Sequence, residues 1–350
     1  MPASTLELQD REAESRLTRS PDPTPTPPTS PPTGRSLLTR RTLRFTLGVL
    51  WLLDGILQLQ PYMFTKGFAH QIIAPVAAGQ PFFVAAPVRW NAALIGMHPA
   101  VFNGVFAGIQ LALGIGLLLP RTSRALLAAS LFWAGGVWYI GEGLGGLAGG
   151  HVTGLVGAPG AALLYGILAL AAWPGRRLRS PDAPSAPSAT SDPPPRWILR
   201  VWAALWIGFA VLDVLPGNGS SSGIERDLSS SASTVSPWLA DLDRGMTHVV
   251  HGSGSGIGVF LVVAQLSIGL LALGRGRLQR AALWTGIALA LLYWAGGQSF
   301  GQLFSGQATD PSTGPLLALV GLAGLSAAGA RSSILRPRRP VGRATRAALA

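Results

Sequence analysis

The sequence predicts an all-α, polytopic integral membrane protein of about eight transmembrane helices, arranged as two tandem four-helix repeats. Three observations predict this fold. Only 12 % of the 350 residues are charged and 48 % are hydrophobic, whereas soluble domains average about 25 % charged residues. The apolar residues are concentrated in eight stretches, each long enough to cross a bilayer. The two halves of the chain also align with each other.

Each predicted span has roughly the 20 mostly apolar residues that a helix needs to cross the hydrocarbon core. The eight spans cover residues 43–63, 100–119, 124–141, 156–174, 198–216, 256–274, 280–297 and 314–331. Residues 1–34 are polar and rich in Pro, Ser and Thr, which predicts a disordered cytoplasmic tail and no signal peptide. A Pro- and Ser-rich linker, 181–195, separates the first membrane repeat, 35–180, from the second, 196–331. The basic segment 332–350 is predicted to be a second cytoplasmic tail.

The basic residues predict the orientation. All Lys and Arg lie in or beside the segments predicted to face inward, except Lys66, Arg89, Arg226 and Arg244. Cytoplasmic loops carry such an excess of positive charge, so both termini are expected in the cytoplasm and the protein in the plasma membrane. The two long outward loops, 62–99 and 217–254, are predicted to be interfacial or re-entrant segments.

The internal repeat appears at a shift of 155 residues, which becomes 156 after one insertion in an inward loop. The first shift pairs Trp51 with Trp206, Pro61 with Pro216, Arg89 with Arg244, and Gln110 with Gln265. The second pairs Trp138 with Trp294, Gly145 with Gly301, Thr153 with Thr309, and Pro159 with Pro315. Because each repeat has an even number of spans, the halves share one orientation, related by an axis along the membrane normal.

Polar side chains within the predicted spans are the first candidate functional residues, because polar groups in a bilayer are costly and often functional. Asp54 and Gln58 share a face of the first helix, and Asp213 is the repeat partner of Gln58. Gln110 and Gln265 lie mid-helix at matched positions. The glutamines are expected to hydrogen-bond between helices as packing contacts. For the two aspartates, function and structural pairing remain equal alternatives.

The outer ends of the third and seventh helices form a second candidate region. Its polar residues are Glu142, Thr153, Gln298, Thr309 and Asp310, set among matched glycines. A tight re-entrant turn is the favoured interpretation, and a backbone site for an anion or lipid headgroup is the alternative. Arg89 and Arg244 either pair with acidic residues beneath the long loops or contact headgroups.

Composition excludes several chemistries. The chain has no cysteine, which rules out thiol nucleophiles, disulfide relays and iron–sulfur clusters. The net charge of +12 is explained by helix ends and tails, so no nucleic-acid partner is predicted. His248 and His251 are three residues apart but are expected to be interfacial rather than metal or haem ligands, so no metal site is predicted. No catalytic motif is found, and no catalytic residue is assigned.

The segment Gln110-Leu-Ala-Leu-Gly114, continuing to Pro120-Arg121, resembles helices 2 and 3 of the DoxX-like four-helix membrane family. The stretch from Trp51 to Phe64 is similar to a group of actinobacterial membrane proteins with two such repeats. The resemblance covers about residues 43–331. It implies a membrane subunit near quinone or thiosulfate oxidation, with quinone as the cofactor suggested by analogy. The family commonly has an acidic residue where this chain has Gln110 and Gln265.

Three functions follow as hypotheses. The leading one is a non-catalytic or accessory membrane protein that holds a lipid, a quinone or another small hydrophobic ligand, or a partner subunit, between its repeats. The second is a small-molecule or proton-coupled transporter, motivated by the duplicated halves and by Asp54 and Asp213. The third is the membrane subunit of a redox enzyme.

Overall fold

The computed structural model describes residues 37–119, 123–175, 192–232, 241, 244–245, 247–248, 251 and 256–334. Outside these residues lie the first predicted tail, most of the second predicted tail and most of the predicted linker. Within them the protein is all-α. Its main helices are α1 (Arg40–Leu57), α2 (Phe82–Met97), α3 (Pro99–Leu118), α4 (Ser123–Gly136), α5 (Ala161–Ala171), α6 (Trp197–Val214), α7 (Ser221–Ala232), α8 (Gly256–Ala272), α9 (Gly276–Ala295) and α10 (Thr313–Ile334).

Among the described residues, three helices are long and apolar enough to cross a membrane: α3, α6 and the Thr313–Ala330 part of α10. Several apolar helices are shorter, namely Phe68–Ala77, α2, α5 and α8. Each of the eight predicted spans overlaps one of these helices, but the length differs most at α5. It has 11 residues, about 16 Å at 1.5 Å per residue, because the chain turns at Gly157 and Gly160, which have positive φ.

The same helix neighbours occur in both halves of the chain. In the first half α1 packs along α3, α4 contacts α3 and α5, and α5 contacts α1. In the second half α6 packs along α8, α9 contacts α8 and α10, and α10 contacts α6. Helices α5 and α10 contact each other, so the two four-helix groups meet along these helices. We call the two groups the first and the second repeat.

Matched glycines bring the longest helix pairs close together. A Cβ on Gly114 of α3 would lie 2.6 Å from Leu52 Cγ of α1, and a Cβ on Gly269 of α8 would lie 2.8 Å from Ile207 Cγ1 of α6. Small residues at such contacts let helix backbones approach each other. Replacing either glycine with a larger residue would push the two helices apart.

Tight turns follow α4 and α9, where the sequence predicts them. Leu144 (φ 58°, ψ 30°) and Phe300 (φ 54°, ψ 32°) both adopt the left-handed conformation, and each precedes a glycine with positive φ. A Cβ on Gly301 would lie 2.7 Å from Pro311 O, so glycine is required there for steric reasons. The matched backbone supports the sequence alignment through this turn.

The alignment beyond this turn needs correction. Trp138 Nε1 donates to Pro159 O at 2.8 Å, and Trp294 Nε1 donates to Pro311 O at 2.8 Å. These separations are 21 and 17 residues, so the first loop is four residues longer. Pro159 therefore corresponds to Pro311 rather than to Pro315, and the extra residues lie between Trp138 and Pro159.

Candidate functional site

A cavity of about 600 Å³ lies inside the first repeat. Its walls come from α1, α3, α4 and α5, and the segment Phe68–Ala77 covers part of it. Residues 309, 310, 312 and 313 of the second repeat close another side. Small-molecule sites in proteins have cavities of about 300–1,000 Å³, so this cavity has the volume of a ligand site.

Six of the polar residues that the sequence singles out line this cavity: Asp54, Gln58, Gln110, Glu142, Thr309 and Asp310. Asp54 and Gln58 are buried on α1, and Gln110 is buried on α3. The remaining three lie in turns at the ends of helices. The cavity thus combines polar groups from both repeats, which a hydropathy pattern does not predict.

Glu142 has backbone partners at the start of α5. Its Oε1 and Oε2 atoms accept hydrogen bonds from Ala162 N at 3.0 and 3.2 Å. A carboxylate is stabilised there because the helix N-terminus has unpaired N–H groups and the positive end of the helix dipole. The Glu142 side chain therefore joins the turn after α4 to the first turn of α5.

Asp310 is held within its own loop. Its Oδ2 accepts from Thr309 Oγ1 at 2.8 Å and its Oδ1 accepts from Ser312 N at 2.7 Å. Burial raises the pKa of Asp310, although these two hydrogen bonds act in the opposite direction. The loop is tied to the first repeat by Gln60 Nε2, which donates to Ala308 O at 3.2 Å.

Other polar atoms in the cavity lack partners. Within the described residues, Asp54 Oδ1, Gln58 Oε1 and Gln110 Oε1 are buried and have no hydrogen-bond partner. Buried polar atoms are nearly always hydrogen-bonded, and leaving one unpaired costs about 1–3 kcal/mol. All three atoms are acceptors when Asp54 is ionised, and three lining groups that can donate, Trp133 Nε1, Tyr165 Oη and Thr313 Oγ1, also have no partner in the described structure.

Aromatic side chains form much of the apolar wall. The rings of Trp51 and Tyr165 lie 4.4 Å apart between centroids, and those of Phe106 and Trp133 lie 5.7 Å apart. Trp51 Nε1 donates to Ser130 Oγ at 2.8 Å, which fixes its ring. The cavity also reaches the outer surface of α4, because the lining residue Phe132 is 85 % exposed.

In the second repeat, Asp213 and Gln265, which match Gln58 and Gln110, form a hydrogen-bonded group with Tyr293, although Gln265 Oε1 has no partner in the described structure. Gln265 Nε2 donates to Asp213 Oδ2 and to Tyr293 Oη, each at 2.8 Å. All three residues are buried. This arrangement agrees with the predicted role of Gln265 as a hydrogen-bonding contact between helices, and it pairs Asp213 structurally.

Thr153 and Gln298 lie between the repeats, outside the residues that line the cavity. Thr153 Oγ1 donates to Asp227 Oδ2 on α7 at 3.0 Å. Gln298 Nε2 donates to Gly154 O at 3.4 Å, and its Oε1 accepts from Ser312 Oγ at 2.8 Å and Gly314 N at 3.1 Å. Gln298 thus contacts the start of α10 as Glu142 contacts the start of α5.

Arg89 and Arg244, the two outward arginines at matched repeat positions, are away from the cavity. Arg89 is exposed on α2, and Arg244 is exposed and forms an ion pair with Asp241. Neither residue lines the cavity that contains Asp54 and Glu142. They therefore do not form the predicted cluster with these carboxyl groups, and a contact with headgroups stays a prediction. His251 Nδ1 lies 3.1 Å from Glu225 Oε1.

The sequence analysis did not single out Tyr165, Trp133 or Asn91, which also line the cavity. Asn91 Nδ2 donates to Ile140 O at 3.1 Å and thereby joins α2 to the residues that follow α4. One signal was present for Tyr165, because it is one of only four tyrosines and stands in the middle of an apolar stretch. Trp133 gave no signal, because tryptophan is common in membrane helices near the interface.

The cavity is equipped to hold a molecule with an apolar body and a polar end that forms hydrogen bonds. Comparison with known proteins adds no constraint to this conclusion. No protein-family model, no curated protein and no solved structure matches the chain.

Proposed function

We propose that the chain is an eight-span plasma-membrane protein that holds a small amphiphilic molecule in the cavity of its first repeat, without catalysing a reaction on it. The observation that carries this proposal is the cavity of about 600 Å³, with aromatic walls and buried polar atoms that lack partners. The ligand lies within the first repeat and is closed in by the second. This differs from the expected position between the repeats.

Membrane insertion is supported by the apolar surface as well as by the three long apolar helices. Large apolar side chains are more than half exposed on several helices, including Phe82, Phe132, Val214 and Phe260. Contiguous exposed apolar surface is rare on soluble monomers, whereas it suits contact with lipid. In this arrangement the opening beside Phe132 faces the acyl chains, so a ligand enters from the bilayer.

The topology is tested with single cysteines, because the chain has none of its own. Ser36→Cys and Ser180→Cys are expected to react with a membrane-impermeant maleimide only after the cells are opened. Ser305→Cys is expected to react in intact cells. Labelling of Ser36→Cys and Ser305→Cys from the same side would refute the eight-span arrangement.

Ligand binding is tested by blocking the mouth of the cavity. Gly136 lines the cavity, and a Cβ there would meet nothing within 4 Å. Gly135 is exposed on the same helix, has the same free space, and does not line the cavity. Gly136→Phe therefore places a ring at the opening, and Gly135→Phe is a matched control with the same change in helix propensity.

The wild-type protein and both variants are purified in mild detergent, and bound small molecules are extracted and identified by mass spectrometry. We expect a stoichiometric small molecule in the wild type and in Gly135→Phe, and its loss in Gly136→Phe. The same extracted molecules in all three preparations would contradict the proposal. A quinone among the lost molecules would instead support the redox-subunit alternative and the DoxX-like resemblance.

A proton-coupled transporter is the second candidate, and Asp54 favours it because its carboxyl faces a cavity with an opening. Asp213 is held by Gln265, so the first repeat is the expected site of coupling. Proteoliposomes are expected to take up the extracted small molecule when they contain Asp213→Asn but not when they contain Asp54→Asn. Uptake that survives both substitutions together would remove the acids from such a mechanism.

A further inference from the structure

The charges that line the cavity all have one sign. Asp54, Glu142 and Asp310 reach it from α1, from the turn after α4 and from the loop before α10. Among the described lining residues there is no Lys, Arg or His. Carboxylates that share an apolar site repel each other, and each is costly to bury without a positive partner.

The three carboxyl groups differ in how well the protein already pairs them. Glu142 accepts from Ala162 N, and Asp310 accepts from Thr309 Oγ1 and Ser312 N. Asp54 is 2 % exposed, and its Oδ1 has no hydrogen-bond partner among the described residues. Asp54 is therefore the least paired of the three carboxyl groups, and no positive charge among the described lining residues offsets it.

Two amide oxygens that line the cavity also lack a hydrogen-bond donor. Gln58 and Gln110 are 5 % and 6 % exposed, and their amide oxygens line the cavity without a partner in the described structure. A ligand that satisfies these oxygens must donate N–H or O–H groups. The carbonyl oxygens of a quinone and the phosphate of an anionic lipid are acceptors. They can pair with the unpartnered lining donors such as Trp133 Nε1, but not with Asp54 or these amide oxygens.

The aromatic walls suit a positive charge. The faces of Trp51, Tyr165, Phe106 and Trp133 carry negative electrostatic potential, which attracts cations. A metal ion fits poorly, because within the described residues no three His, Asp or Glu side chains form a possible metal-ligand group. The cavity is also far larger than one ion requires.

We infer that the ligand of the first-repeat cavity is an amphiphilic organic cation whose ammonium group lies at Asp54 and whose apolar body lies along the aromatic walls. This inference rests on the proposed function and specifies its ligand class. The ammonium group donates hydrogen bonds to Asp54 and to the amide oxygens of Gln58 and Gln110. The apolar body extends toward the opening beside Phe132.

Three probes with the same phenylbutyl body test the charge preference: 4-phenylbutylamine, 4-phenylbutanol and 4-phenylbutyrate. Binding is measured by calorimetry on the full chain in nanodiscs, with protein-free nanodiscs as the blank. A hydrogen bond to a charged group contributes about 1.5–3 kcal/mol, so the amine is expected to bind about tenfold or more tightly than the alcohol. The carboxylate is expected to bind most weakly.

The variant Asp54→Asn locates the preference. It is expected to reduce amine affinity about tenfold or more, to roughly that of the alcohol, and to weaken the alcohol much less. Retained binding of the alcohol shows that the cavity is still formed. Asp213→Asn is the control, because that carboxyl is buried outside the cavity and is paired with Gln265. It is expected to leave all three affinities unchanged.

Several results would overturn the inference. Equal binding of amine and alcohol to the wild type, with both blocked by Gly136→Phe, would leave the proposed function in place and remove the cation. Amine preference that persists in Asp54→Asn would contradict the assigned position of the ammonium group. Failure of the amine to bind would also overturn the inference, while the extraction experiment with Gly136→Phe and Gly135→Phe would decide the proposed function separately.

Discussion

The two repeats follow the same helix order and enclose different interiors. The second is filled by Trp202, Trp206 and Phe209, all nearly or fully buried. Room for these rings comes from small residues, since a Cβ on Gly286 or Gly321 would collide with the Trp202 ring. The first repeat keeps a cavity of about 600 Å³ instead. Contacts between the long helices therefore maintain the fold, while the residues that face inward determine whether a ligand fits.

One exchanged residue contributes to this difference. At the repeat shift of 155 residues, Asp54 of the first repeat corresponds to Phe209 of the second. Phe209 packs against Trp206, with ring centroids 5.5 Å apart, whereas Asp54 faces the cavity. Gln265 donates hydrogen bonds to two buried neighbours, although the amide oxygens of Gln265 and of the matched Gln110 both lack a partner in the described structure.

One loop of each half of the chain also contacts the other half. In the first loop, Thr153 bonds to Asp227, and a Cβ on Gly154 would lie 2.9 Å from Phe209 Cγ. The loop before α10 places Asp310 against the cavity of the first repeat. The loop of the first repeat thus helps to fill the interior of the second repeat. The loop of the second repeat adds a carboxyl group to the cavity of the first.

The largest expected effect is that of Phe209→Asp, which puts the residue of the first repeat into the second. Removing a buried Phe side chain costs about 3–5 kcal/mol, and the new carboxyl has no space for water. We expect the melting temperature of the detergent-solubilised protein to fall sharply, measured by fluorescence-detected size exclusion. Phe209→Leu is the control and should melt much closer to the wild type. Wild-type melting of Phe209→Asp would contradict the filled interior.

The reciprocal change, Asp54→Phe, is expected to close the first repeat. The new ring occupies cavity volume and removes an unpaired buried acceptor, which costs about 1–3 kcal/mol. The extracted ligand should disappear while the melting temperature of ligand-free protein stays the same or rises. Retention of the ligand in this variant would show that the molecule binds elsewhere.

A smaller difference is expected between two matched glutamines. Gln265→Leu leaves Asp213 and Tyr293 without their shared donor, so it should destabilise the protein by about 1–3 kcal/mol. Gln110→Leu removes an amide oxygen that has no partner and should cost less than about 1 kcal/mol. Both are measured as melting shifts on ligand-free protein. Equal shifts would mean that Gln110 is as well bonded as Gln265.

The positions of the helices were predictable because an apolar stretch and its flanking charges are local properties of the sequence. The start of α5 was not predictable from hydropathy. Residues 156–160 are apolar enough to extend the helix, and hydropathy does not report the positive φ of Gly157 and Gly160 that ends it. The alignment of Pro159 with Pro315 failed for a similar reason. A four-residue difference in loop length has little effect on a pattern dominated by glycine and alanine.

The cavity itself was not predictable, although six of the candidate residues line it. Hydropathy identified Asp54, Gln58 and Gln110 as costly in a membrane, but it gives no distance between them. The approach of Asp310 depends on a loop that crosses from one repeat to the other. Such a contact follows from how α5 packs against α10, which no local pattern contains.

The smallest expected effect is a pH dependence at the loop contact between Thr153 and Asp227. Asp227 lies on α7, outside the predicted spans, and burial raises its pKa above the ordinary 3.8, against the opposing effects of Thr153 and Arg226. The folded protein therefore holds this proton more tightly than the unfolded chain does. Its contribution to stability is complete below pH 3.8 and is lost as the pH rises through the higher, folded-state pKa.

Two variants change this dependence in opposite directions. Asp227→Asn does not titrate, so it should reduce the decrease in melting temperature between acidic and neutral pH. Thr153→Val removes a hydrogen bond that stabilises the ionised form, so it should make that decrease larger. Identical pH profiles for the wild type and both variants would show that the loop of the first repeat does not hold Asp227. The interior of the second repeat would then depend on its own residues alone.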